Sequence, residues 1–181
     1  MRLNSAVLAG MALMAVTALF FVGGCTSAST RADLHVVSIN GNATYYSDLL
    51  NDKDTNNVFI PVDQITVTLS NTPHDGGTPV DPGKGFADIV ITSYTVTYDN
   101  GVYSPIGGGM NVVVPSGGTT DASITISNPS EKAALLGTLV NTVTATAKID
   151  FQGYLRSTGN FGDRVWATGY LTVQVDNFAD K

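Results

Sequence analysis

The chain is poor in the residues that carry most enzyme chemistry: one cysteine, two histidines and one glutamate in 181 residues. A single thiol allows no intrachain disulfide, so the folded part must rely on its hydrophobic core even where the compartment would permit cross-links. Nucleophilic hydrolysis needs a serine or cysteine beside a base, and neither His35 nor His74 has an evident partner. No Gly-x-Ser-x-Gly elbow is present. His35 reads as a strand histidine and His74 as a solvated loop histidine. Lysine and arginine total nine against fifteen acids, giving a net charge of −6, and the bases are scattered. Nucleic acid is excluded as a partner, because its binding requires clustered cations that displace counterions. Gly107-Gly108-Gly109 reads as a turn rather than a phosphate loop, since no lysine follows and no helix opens after it.

What is present begins with Arg2, an apolar run over residues 6–22, and Val22-Gly23-Gly24-Cys25. This arrangement resembles a bacterial lipoprotein signal, with a positive start, a short apolar core and small residues before a cysteine. The run is near the lower limit of roughly 17 to 25 residues for a bilayer span, and two glycines and Cys25 close it. The resemblance implies cleavage before Cys25, acylation of that thiol and a lipid-anchored protein. Thr26 follows the cysteine, and within the resemblance that implies the outer membrane or cell surface. Residues 1–25 are therefore read as signal peptide, 26–32 as a short polar linker and 33–181 as one domain. Seven linker residues reach at most about 24 Å, which keeps the domain close to the membrane.

The domain reads as strands. Ile65, Val67 and Leu69 alternate with Gln64, Thr66 and Thr68, the period of a half-buried strand. Similar alternation marks residues 34–39, 89–98, 110–114, 122–126, 143–151 and 165–175, between Pro, Gly and Asn-Gly clusters. Fourteen of the fifteen acids are aspartate, which favours turns and strand ends over helices. About seven strands predict an all-β fold, an immunoglobulin-like antiparallel β-sandwich. The one glutamate marks the exception. Asn128 as cap, Pro129 at the first helical position and Glu131 reaching back to the cap amide predict one short helix between the fifth and sixth strands. Gly137 would end it, and its role would be to plug the open end of the sandwich.

The stretch Ala145 with Lys148-Ile149-Asp150-Phe151-Gln152-Gly153, followed by Val165-Trp166-Ala167-Thr168-Gly169-Tyr170-Leu171-Thr172-Val173, is similar to the closing hairpin of single-domain, immunoglobulin-like bacterial lipoproteins, a functionally uncharacterised group. That likeness implies a fold and no activity.

Two sets of residues are candidate sites. Asp52, Asp54 and Asn56 alternate oxygens as a calcium loop does, and Asp63 falls at the twelfth position. Against calcium, the closing ligand is Asp rather than Glu, Pro61 interrupts the loop, and a strand follows where a helix would be expected. The second set comes from parity. If Val165, Ala167, Leu171, Val173 and Val175 face the core, Trp166 and Tyr170 face outward beside Lys148, about 13 Å apart. Two such aromatics suit a sugar chain or a protein ridge, unless another strand or residues 40–59 cover them.

The expected function is a membrane-anchored envelope lipoprotein, tethered through acylated Cys25, acting as a binding or structural module for another envelope protein or a glycan rather than as an enzyme. A glycan-acting enzyme using aspartates and a calcium-dependent adhesion module are the alternatives. In such a sandwich the chain enters at the end holding the loops around residues 71–88, 115–119 and 153–163, which would face the membrane. Labelled fatty acid should be incorporated into the native protein and lost in Cys25→Ser, together with partition into detergent; unchanged labelling of the mutant would refute the anchor.

Overall fold

A computed structural model describes residues 32–53, 57–74, 88–156 and 161–178. Cys25, the apolar run before it, Asp54 and Asn56 lie outside the described residues. No helix among the described residues is long and apolar enough to cross a membrane.

Among the described residues eight strands form the fold: β1 (Ala32–Ile39), β2 (Tyr45–Asp48), β3 (Asp63–Pro73), β4 (Ile89–Tyr98), β5 (Ile106–Val114), β6 (Thr119–Ser127), β7 (Val143–Arg156) and β8 (Phe161–Asp176). The helix α1 (Pro129–Leu135) lies between β6 and β7. A three-stranded sheet in the order β1-β3-β6 and a five-stranded sheet in the order β2-β8-β7-β4-β5 make an all-β, sandwich-like fold. Ala32, read above as linker, is the first residue of β1 and is fully buried.

Alternation places the core. Ile65, Val67 and Leu69 of β3 are buried together with Ala145, Ala147, Ile149 and Phe151 of β7 and Val165, Ala167, Leu171, Val173 and Val175 of β8. In register, Ala147 sits opposite Leu171 and Phe151 opposite Ala167, so one face of the β7–β8 pair is continuous apolar surface. Each fully buried Val, Leu, Ile or Phe contributes about 1.5–3 kcal/mol, and the two sheets supply such residues from both sides.

Three expectations change. Strand β2 is an eighth strand, and it pairs with β8 in parallel, so the five-stranded sheet is mixed. Its inward residues are Tyr45 and Ser47, and with Tyr46 exposed between them the four residues show no apolar–polar alternation to read. Gly107-Gly108-Gly109 is not a turn but part of β5, paired with β4. A Cβ on Gly108 would lie 2.7 Å from Cε1 of Tyr94. Glycine is required at 108 because the Tyr94 ring passes over it, and the Tyr94 hydroxyl accepts a hydrogen bond from the Thr125 amide of β6 at 3.1 Å.

The helix begins as expected and is used differently. The Asn128 side chain accepts the Glu131 amide at 3.1 Å, and Gly137 follows the last turn with φ +79°. The Glu131 carboxylate, expected to return to the cap amide, instead accepts the Ser104 amide at 3.1 Å and ties the loop after β4 to the helix. One end of the sandwich is thus closed by α1. At the other, Ala32 pairs with Pro73, the Asn71 amide donates to the Gly118 carbonyl, and Arg156 at the end of β7 pairs with Phe161 at the start of β8. The chain therefore enters at the end away from the helix.

Candidate functional site

The helix carries the least expected side chain in the molecule. Lys132 is fully buried, and its Nζ donates to Asp63 Oδ1 at 2.5 Å and to the Asp48 carbonyl at 2.8 Å. Asp63 opens β3 and is itself buried. Its second oxygen accepts from the Ser47 and Ser127 hydroxyls, each at 2.5 Å, and the Tyr45 hydroxyl donates to Oδ1 at 3.2 Å. Ser47 also shares a 2.7 Å hydrogen bond with the Tyr103 hydroxyl, and Tyr103 packs edge-on against Tyr98 with centroids 5.3 Å apart.

Burial pushes the phenols of Tyr45, Tyr98 and Tyr103 well above their ordinary value of 10.0, and the nearby Asp63 charge adds to the effect in each case. The cluster is a satisfied polar knot of one anion, one cation and hydroxyls, in which Asp63, Lys132, Ser47, Ser127 and Tyr103 are buried and Tyr45 partly so. Asp63, the twelfth position of the candidate calcium loop, thereby has both carboxylate oxygens engaged by protein donors. Asp52 is exposed. Among the described residues no group of three or more His, Cys, Asp or Glu side chains could hold a metal ion.

The second set of candidates is brought together. Trp166 is 60% exposed and Tyr170 65% exposed, on the outward face of β8. Tyr170 stands opposite Lys148 and Trp166 opposite Gln152 on β7. Among the described residues Asn42, Ala43 and Thr44 border a small cleft beside Tyr170, and both rings remain mostly exposed. Between the aromatics, Asp150 accepts from Lys148 Nζ at 2.7 Å and from the Thr168 hydroxyl at 2.6 Å. Partial burial works against the Asp150 charge, but those two donors outweigh it and hold the carboxyl below its usual range, while the Asp150 bond raises Lys148.

Tyr46, missed in the sequence, joins this face. It is 60% exposed, lies beside Gln174 of β8 in register, and packs edge-on against Phe178 at 5.6 Å. Trp166, Tyr170 and the Gln174–Tyr46 position thus recur every fourth residue along β8, a repeat of about 13 Å. Pairing of β2 with β8 makes this row, and no pattern local to residues 45–48 announces it.

Clefts flank the row. One of about 400 Å³ lies beside Trp166, bordered by Thr92, Gln152, Tyr154 and Arg164, with backbone at Gly153 and Gly162. Another of about 290 Å³ runs between β1 and β8, bordered by Asp33, His35, Arg164 and Trp166. His74, read above as solvated and without a partner, pairs through Nε2 with Asp33 at 2.7 Å on the surface. The tertiary fold makes this contact between residues 41 apart.

No protein-family model matches the chain, and no curated protein matches it in sequence. Among solved structures, the chain is similar to the solution structure of a late embryogenesis abundant (LEA) protein, with a TM-score of 0.48 and 9% identity, over 97% of this chain and 88% of the other. At that level of similarity no property transfers.

Breaking a buried ion pair leaves an uncompensated charge and costs about 3–5 kcal/mol, whereas an exposed pair is worth about 0–1 kcal/mol. Lys132→Met should therefore lower the unfolding free energy by several kcal/mol in urea titration, and Lys148→Ala by less than about 1 kcal/mol; equal effects would remove Lys132–Asp63 from its structural role. The phenols supply a pH test. Their folded pKa values are raised, so their contribution is complete below the ordinary value of 10.0 and is lost as pH rises above it, because the unfolded chain releases those protons first. The urea midpoint should fall steeply above about pH 10; a midpoint that stays level through that range would contradict the burial of these phenols.

Proposed function

We propose that this chain is a membrane-tethered lipoprotein whose immunoglobulin-like sandwich is a glycan-binding module, with the outward β8–β7 face as its contact surface. The observation that carries the reading is the exposure of Trp166 and Tyr170 on one face, with Tyr46 continuing the row. Large aromatics left mostly in water on a strand gain little burial for the fold, while flat ring faces stack well against the apolar faces of sugar rings. The polar groups between them, Lys148, Asp150, Thr168 and Gln152, are the types that exchange hydrogen bonds with hydroxyls. Supporting the immunoglobulin-like part of the reading, β1-β3-β6 and β8-β7-β4 follow the same neighbour order as the A-B-E and G-F-C strands of that fold.

The anchor part rests on Cys25 and its preceding residues, and the entry of β1 at the end opposite α1 supports a tether that leaves the helix end distal. From there the aromatic row runs away from the membrane along the side of the domain, open to a polymer in the envelope.

Stacking of one aromatic is worth about 0.5–1.5 kcal/mol, up to roughly tenfold in affinity. Trp166→Ala and Tyr170→Ala should each weaken retention on immobilised envelope polysaccharide by up to about tenfold. Their melting temperatures should stay at the wild-type value, because neither ring is in the core. Undiminished retention in the double variant would overturn the reading.

A further inference from the structure

We propose that the cleft beside Trp166 is a subsite for a carboxylate-bearing sugar unit, held through Arg164; this rests on the glycan-binding reading and names the class of sugar. Arg164 and Trp166 are two residues apart on one strand, so their side chains leave the same face about 7 Å apart. Both border the 400 Å³ cleft, a size within the range of about 300–1,000 Å³ for ligand sites.

The charge pattern selects the ligand. Acids outnumber bases fifteen to nine in the chain, yet among the described residues no acid borders this cleft. Among the described residues Arg164 is in no ion pair, whereas Lys148, on the neighbouring strand, is neutralised by Asp150 at 2.7 Å. Asp33, which borders the second cleft with Arg164, is engaged by His74 at 2.7 Å. The guanidinium is thus left with its planar fork open, a geometry matched by a carboxylate through two parallel hydrogen bonds. One cation balances one carboxylate, whereas a phosphate monoester would bring close to two charges.

The remaining walls suit a sugar ring. Trp166 offers an exposed aromatic face, and the Gln152 side chain offers both a donor and an acceptor. The Thr92 hydroxyl donates to the Gln152 carbonyl at 3.3 Å, which leaves its oxygen free to accept from a sugar hydroxyl. A ring stacked on Trp166 with its carboxylate on Arg164 would use each of these groups.

Trp166 is the only tryptophan, so intrinsic fluorescence reads this cleft directly. The full-length protein in detergent is titrated with hexagalacturonate and with the same oligomer fully methyl-esterified, which differs only in its carboxylates. The acid form should shift the emission saturably and bind at least tenfold more tightly than the ester, with affinity falling as salt is raised. Arg164→Gln should abolish the preference and keep ester binding, and Arg164→Lys should restore part of it; circular dichroism confirms that each variant is folded. Equal binding of acid and ester, with both lost by calorimetry in Trp166→Ala, would overturn the subsite and leave the glycan reading standing. A preference that survives in Arg164→Gln would overturn the role of Arg164. Binding of neither oligomer would overturn the subsite, and the retention of Trp166→Ala and Tyr170→Ala on envelope polysaccharide then judges the broader reading by itself.

Discussion

The carboxylate of Asp63 is the point on which one whole end of the molecule depends. It lies at the start of β3 in the three-stranded sheet and binds Ser127 from the end of β6 in the same sheet, Ser47 and Tyr45 from β2 in the other, and Lys132 from the helix. Lys132 reaches on to the Asp48 carbonyl, and Tyr103 is drawn in through Ser47. Five segments, drawn from residues 45 to 132, meet at one buried charge pair. Such a pair gains little net stability over apolar residues of the same size, because desolvation offsets most of the attraction. What it does impose is geometry: a short helix and a four-residue strand have few apolar contacts of their own, and each is held in place by a hydrogen bond whose loss would leave a buried group unsatisfied.

That closure has a consequence for the opposite side of the five-stranded sheet. With β2 fixed at the end of β8, Tyr46 is brought into line with Tyr170 and Trp166, and an outward row three positions long results. The same strand therefore performs two tasks by parity. Its odd-numbered residues, Val165 to Val175, fill the core, and its even-numbered ones carry the aromatics, Thr168 and Arg164. The face is also chemically graded. Around Tyr170 the charges are mutually cancelled by Lys148 and Asp150, and towards Arg164 they are not.

At the far edge of the sheet, Tyr94 shows how the two layers are joined without covalent links. Its ring crosses Gly108, where any Cβ would collide, and its hydroxyl receives the Thr125 amide of the other sheet. Tyr98 makes a comparable link by donating to the Ile126 carbonyl at 2.9 Å. In a chain with a single cysteine, and so without an intrachain disulfide, aromatic side chains with one polar tip take over the cross-sheet fastening.

The sequence by itself determined the all-β class, most of the strands, the helix at Pro129 with its Asn128 cap and Gly137 stop, and the outward parity of Trp166 and Tyr170. These are legible because they depend on local period: alternation of two residues for a half-buried strand, and fixed offsets for a cap. Only the tertiary structure decided that Asp63 belongs to a buried ion pair, that Lys132 points into the core from a helix that looked like a plug, that β2 exists and runs parallel to β8, and that Gly107 to Gly109 are strand. Each of these rests on a contact between residues far apart in the chain. Local pattern cannot report them, because a lysine, an aspartate, a serine or a glycine carries the same local signal whether it faces water or the one partner that makes its burial tolerable.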